Sequence, residues 1–154
     1  MKALTRRELF AAPLLAAMLP GGWAAQTFLP QPRSLAAALE AALVRRRALV
    51  LMVSRPACPW CKLVRESYLA PIFAKGQPVV ELDMQDSGGM VGFDGAATSP
   101  ARAAESLGVR MAPTVLFIGR EGRELAPRLT GVSSVDFYGA YLDDRIGKAN
   151  QAVG

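Results

Sequence analysis

The sequence contains no histidine and only two cysteines in 154 residues. A zinc site of four cysteine and histidine ligands therefore cannot be assembled from one chain. Charge is not gathered into a block either. The formal net charge is +5, but the lysines and arginines are scattered, which leaves nucleic-acid binding without support. The apolar run near the start, Leu9 to Leu19, is shorter than the roughly 20 residues a bilayer-spanning helix needs. No segment repeats, and no shift in composition marks a second domain. What is present is a hydrophobic fraction of 51% in a chain of one-domain length, enough for a sizeable core.

Lys2, Arg6 and Arg7 precede the apolar run, and small residues follow it. That order is the pattern of an export signal over residues 1–24, with Gly22-Trp23-Ala24 as the small-x-small site and the cut after Ala24. Thr5-Arg6-Arg7-Glu8-Leu9-Phe10 is similar to a twin-arginine signal. An ordinary secretory signal with two neighbouring arginines is the alternative. Cleavage removes three positive charges and one negative, leaving a mature net charge of +3. The expected destination is the periplasm, where disulfides persist. Residues 25–33, with Pro30 and Pro32, read as a leader that is extended or poorly ordered.

The chemistry is concentrated in Leu49 to Val64. Five apolar residues, Leu49 to Val53, read as a short buried strand, and Ser54 to Ala57 as a turn. Cys58-Pro59-Trp60-Cys61 then opens a helix. A Cys-x-x-Cys between a strand and a helix is a redox signature. A cysteine at a helix N-terminus meets free backbone N–H groups and the positive end of the macrodipole, both of which favour the thiolate. Pro59 suits the first helical position, where no N–H is needed. Arg55 and Lys62 add positive charge on either side. Cys58 is expected to be the exposed nucleophile and Cys61 the more buried resolving thiol. A purely structural disulfide is a weak alternative, because closing so short a loop restricts the unfolded chain little. Cu(I) held by the two thiolates is another, with Met111 or Met90 as an added soft ligand.

Around this motif the chain reads as alternating helices and strands. Ser34 is an N-cap for a helix to about Arg47, with Leu35, Leu39 and Leu43 on one face. Pro71 is expected to kink or stop the Cys-x-x-Cys helix near Ala70. Pro78 to Met84 reads as a second strand. Residues 85–99 read as a loop, in which Met90 and Phe93 either cover the active-site face or simply pin it. A short helix spans Pro100 to Leu107, closed by Gly108. Val115 to Ile118 is a strand, Gly119 to Arg123 a hairpin turn, and Glu124 to Thr130 its partner. Pro127 puts that partner at a sheet edge or bulge. Val132 to Ile146 is the last helix, and residues 148–154 read as a polar tail.

In this order, the elements resemble the thioredoxin superfamily over residues 34–147. Two motifs carry the resemblance: Cys58-Pro59-Trp60-Cys61, and Met111-Ala112-Pro113-Thr114 opening a strand. The resemblance implies an α/β, thioredoxin-like fold with a central mixed β-sheet flanked by helices. It also implies a cis Ala112–Pro113 bond lying against the cysteines, leaving the Ala112 backbone free to pair with an extended substrate. Trp60 would add an apolar platform. The chain looks most like the exported thioredoxin-like proteins associated with bacterial sulfur oxidation and the periplasmic thiol reductases. One departure stands out. Cytosolic thioredoxins carry a buried Asp in the strand before the motif for proton transfer with the resolving cysteine, and Met52 occupies that place here. Either water or another acid, such as Glu66, then moves the proton, or turnover is slower. The activity implied is that of a thiol–disulfide oxidoreductase with no bound cofactor and no metal. It would act on a protein disulfide or thiol and exchange electrons with a membrane thiol carrier. Reduction of substrate is the preferred direction, and thiol oxidation the alternative.

Overall fold

In the computed structural model, which describes residues 28–154, strand β1, Leu49–Ser54, is buried along its whole length. The segment expected to be an export signal, with its expected cleavage site and Trp23, lies outside the described residues. A strand buried on both faces needs neighbours on both edges and layers on both sides. Strand β2, Val79–Asp83, pairs with β1 in parallel, with Met52 opposite Glu81. On the other edge β5, Thr114–Ile118, runs antiparallel, with Val53 opposite Thr114. β6, Glu124–Thr130, pairs with β5, giving the mixed order β2-β1-β5-β6. Pro127 therefore sits on an edge strand with register shifts, where its missing N–H costs least.

Successive β1 side chains point to opposite faces, and two cores result. Val50 and Met52 pack with Cys61, Val64, Leu69, Phe117, Tyr138 and Leu142. Leu49, Leu51 and Val53 pack with Leu35, Leu39, Leu82, Ala104 and Leu116. The second layer is built by α1, Leu35–Val44, and α4, Pro100–Ser106, each capped by a serine side chain, Ser34 and Ser99. The first layer is built by the Cys-x-x-Cys helix and by α5, Val135–Val153.

Two expectations are corrected, the loop over residues 85–99 and the polar tail, and the alternatives left open elsewhere are decided. The Cys-x-x-Cys helix does not stop at Ala70. It runs as α2, Pro59–Leu63, a π-helical turn Val64–Leu69, and α3, Ala70–Ala74. The wide turn accommodates Pro71, which cannot donate and whose ring would crowd the preceding turn of a regular helix. Residues 85–99 hold a small hairpin, β3 Met90–Val91 and β4 Ala97–Thr98. Met90 and Phe93 pack in the α1/α4 layer, not over the active-site face. Met90 is thereby removed from any copper site on the cysteines, because the sheet intervenes. The polar tail is instead the end of α5. Ala149 is buried there, and Asn150 accepts from the Ala48 N–H at 2.9 Å and donates to Gln77 at 3.0 Å. The leader is extended. Leu29 enters the first core, and the Pro30 carbonyl accepts from Glu81 N–H at 2.9 Å along the free edge of β2.

Candidate active site

Antiparallel pairing of β1 with β5 brings the end of one strand beside the start of the other, so the segments Arg55 to Cys61 and Met111 to Pro113 meet at one end of the sheet. Cys58 is the N-cap of α2. Its Sγ accepts from the Cys61 N–H at 3.1 Å, one of the donors a helix start leaves free. The two cysteines form a disulfide with Cα atoms 5.2 Å apart. They are not equivalent: Cys58 is half-buried, whereas Cys61 is 1% exposed against Met52 and Val64. Pro59 takes the first helical position. Trp60 projects from the rim, 52% exposed.

The Ala112–Pro113 peptide bond is cis. Pro113 is buried, and its carbonyl accepts from Gly131 N–H at 2.7 Å; Thr114 Oγ1 donates to the Met111 carbonyl at 2.7 Å. Gly131 has φ +66, a left-handed backbone conformation that suits glycine. Ala112 and Cys58 pack against the same core. Among the described residues the Ala112 backbone has no hydrogen-bond partner.

Arg55 and Lys62 are exposed and line an open cleft of about 490 Å³ beside Cys58, together with Arg65 and Glu66. Glu66 is exposed on the helix surface and lines the same cleft as Cys58. The buried acid on the Cys61 face is Glu81, 4% exposed, one strand across from Met52. Arg65 donates to both its oxygens, at 2.8 and 2.6 Å. Those hydrogen bonds hold the Arg65 guanidinium above its ordinary range, and burial opposes them. The sequence carries a signal for this residue that the reading missed: a lone acid inside Val79-Val80-Glu81-Leu82, in phase with the buried Val79.

A strand, a helix-capping Cys58 bonded to a buried Cys61, and a cis proline at the facing strand start define the arrangement. Over residues 35–146 the sequence matches the family described as thioredoxin-like domain. The chain belongs to that family. It is a thioredoxin-like thiol–disulfide oxidoreductase with Cys58 and Cys61 as its disulfide-forming pair. Among solved structures, the DsbH oxidoreductase is similar, with 18% identity, TM-score 0.54, and coverage of 93% of this chain and 95% of that one. Thioredoxin NaTrxh from Nicotiana alata is 19% identical with TM-score 0.54, covering 78% and 90%. The periplasmic thioredoxin SoxS from Paracoccus pantotrophus is 25% identical with TM-score 0.43, covering 66% and 98%. No curated protein gives a significant match.

Proposed function

We propose that the chain is a periplasmic reductase of protein disulfides. The observation that carries the reading is the inequality of the two sulfurs, since the reaction needs one thiol that a substrate can reach and one that it cannot. In the reduced protein the Cys58 thiolate, favoured by the helix start and by Arg55 and Lys62, attacks one sulfur of a substrate disulfide. The other substrate sulfur leaves as a thiolate and takes up a proton. Cys61 then gives up its proton and attacks Cys58 Sγ, releasing the second substrate thiol and leaving the Cys58–Cys61 disulfide. Two electrons and two protons pass to the substrate. A membrane thiol carrier returns two electrons to the pair. Ala112 and Pro113 align the substrate backbone, and Trp60 packs against it.

Supporting the periplasmic destination are the charged-apolar-small order of residues 1–24 and the resemblance to exported thiol reductases. The test is insulin-disulfide reduction with single cysteine variants. Cys58→Ser is expected to abolish turnover. Cys61→Ser is expected to accumulate a mixed disulfide with substrate, detected by non-reducing electrophoresis. Normal turnover by Cys58→Ser would sink the assignment. Direction is read from the reduction potential of the pair: thioredoxin-fold reductases lie near about −270 mV and the strongest oxidants near about −120 mV.

A further inference from the structure

We propose that the cleft beside Cys58 is an anion-recognition subsite that selects disulfides flanked by carboxylates. The inference deepens the reductase reading and rests on it.

The cleft holds about 490 Å³ and has four charged side chains on its walls: Arg55, Lys62, Arg65 and Glu66. The charge of Arg65 is matched, because its guanidinium is turned inward onto both oxygens of Glu81. That leaves two cations facing one carboxylate. Arg55 and Lys62 have no carboxylate within ion-pair distance among the described residues. They sit three residues before and four residues after Cys58, and both line the same cleft as Cys58. Ala57, between Arg55 and Cys58, holds φ +52, a conformation that L-residues disfavour. This left-handed residue forms part of the cleft wall.

The two cations also support the Cys58 thiolate, but that charge exists only in the reduced state. Once Cys58 is in a mixed disulfide its sulfur is neutral, and the cations face whatever the substrate presents. The volume admits side chains of residues next to the substrate cysteine. The matching chemistry is a carboxylate within one or two residues of that cysteine. Such carboxylates could belong to an acidic segment of a protein or to a low-mass peptide disulfide, and the two sources are separable by experiment.

The test uses the mature protein, reduced, and three synthetic peptide disulfides that differ only in the residues flanking the cysteine: glutamate, glutamine or lysine. At low salt, kcat/KM for the glutamate peptide is expected to exceed that for the lysine peptide roughly five- to tenfold, and the ratio is expected to shrink at high salt. The Arg55→Gln, Lys62→Gln double variant brings the ratio close to one, while Glu66→Gln raises it. If the double variant slows all three peptides by the same factor, the cations serve the thiolate alone and the subsite does not exist. Glutathione disulfide turned over as well as the glutamate peptide assigns the subsite to low-mass substrates. A clear preference for the longer peptide assigns it to protein segments. Absence of turnover with every peptide defeats the reductase reading. The subsite is then judged by calorimetry with the same peptides carrying serine for cysteine, where it requires tighter binding of the glutamate peptide and is overturned by equal affinities.

Discussion

Glu81 and Arg65 are the residues on which the active-site helix and β2 are most directly joined. Each oxygen of the buried carboxylate receives one guanidinium N–H. Removing one partner leaves the other without its counter-charge in a low-dielectric setting. Glu81→Gln is expected to lower unfolding free energy by roughly 2–4 kcal/mol, somewhat under the figure for a wholly buried pair because Arg65 keeps partial contact with water. Glu81→Leu combined with Arg65→Met should recover much of that loss, as measured by urea unfolding. A double variant less stable than either single would show that the pair contributes more than charge matching. Met52, fully buried beside Glu81, answers the same logic in reverse. Met52→Asp would bury a second carboxyl next to the first and is expected to lower stability by at least about 2 kcal/mol. Unchanged stability would mean the site admits water. Tyr138 carries an opposite opportunity. Its hydroxyl is buried without a hydrogen-bond partner among the described residues, and burial, with Tyr68 nearby, pushes its ionisation well above the usual tyrosine range. Tyr138→Phe should therefore stabilise the protein by about 1 kcal/mol. Because the folded value is raised, this hydroxyl leaves stability independent of pH below about pH 10 and lowers it further above, where the unfolded hydroxyl ionises first. A thermal-melt series from pH 8 to 11 should show that alkaline loss reduced in the phenylalanine variant.

Among the elements, α5 does more than its sequence pattern promised. Its last turn places Asn150 between two segments that precede the sheet strands. Ala48 N–H donates to Asn150, Asn150 donates to Gln77, and Gln77 donates back to the Ala48 carbonyl at 2.8 Å. The ring satisfies both backbone groups of Ala48, which is 1% exposed. Asn150→Ala leaves a buried N–H and a buried side-chain amide oxygen unpaired, and should cost about 1–3 kcal/mol. Chemical unfolding measures this directly, and a loss within error would mean that water replaces the asparagine. The helix carrying the cysteines was legible at its start and not along its course. Cys58, Pro59 and the following turn are local instructions, each acting within four residues. The π turn ahead of Pro71 was not legible, because proline excludes a regular helix there without saying whether the chain stops, kinks or widens.

At the scale of the whole molecule, Trp60 links structure to redox state. Protein cut after Ala24 keeps one tryptophan of the two, and it lies between the redox cysteines. A disulfide quenches a neighbouring excited indole, so reduction should brighten or shift the emission. Titration against glutathione would then give the potential of the pair. Silence from Trp60 in protein whose thiols have been counted as reduced would mean that the ring points away from the disulfide.

The sequence by itself determined the strands β1, β2 and β5, the capped helix starts at Ser34 and Ser99, the edge placement that Pro127 demands, and the order of elements around Cys58 and Cys61. These follow from interactions a few residues long: apolar runs, caps, turns and a missing N–H. The tertiary structure alone decided which sheet face received the 85–99 hairpin, where the buried acid lies, and what holds the end of α5. Each of those depends on the register between segments far apart in the chain, as with Met52 opposite Glu81 and Ala48 bonded to Asn150. A one-residue change of register would turn every side chain of a strand to the other face. Composition does not encode that choice, and only the packing of both layers at once selects it.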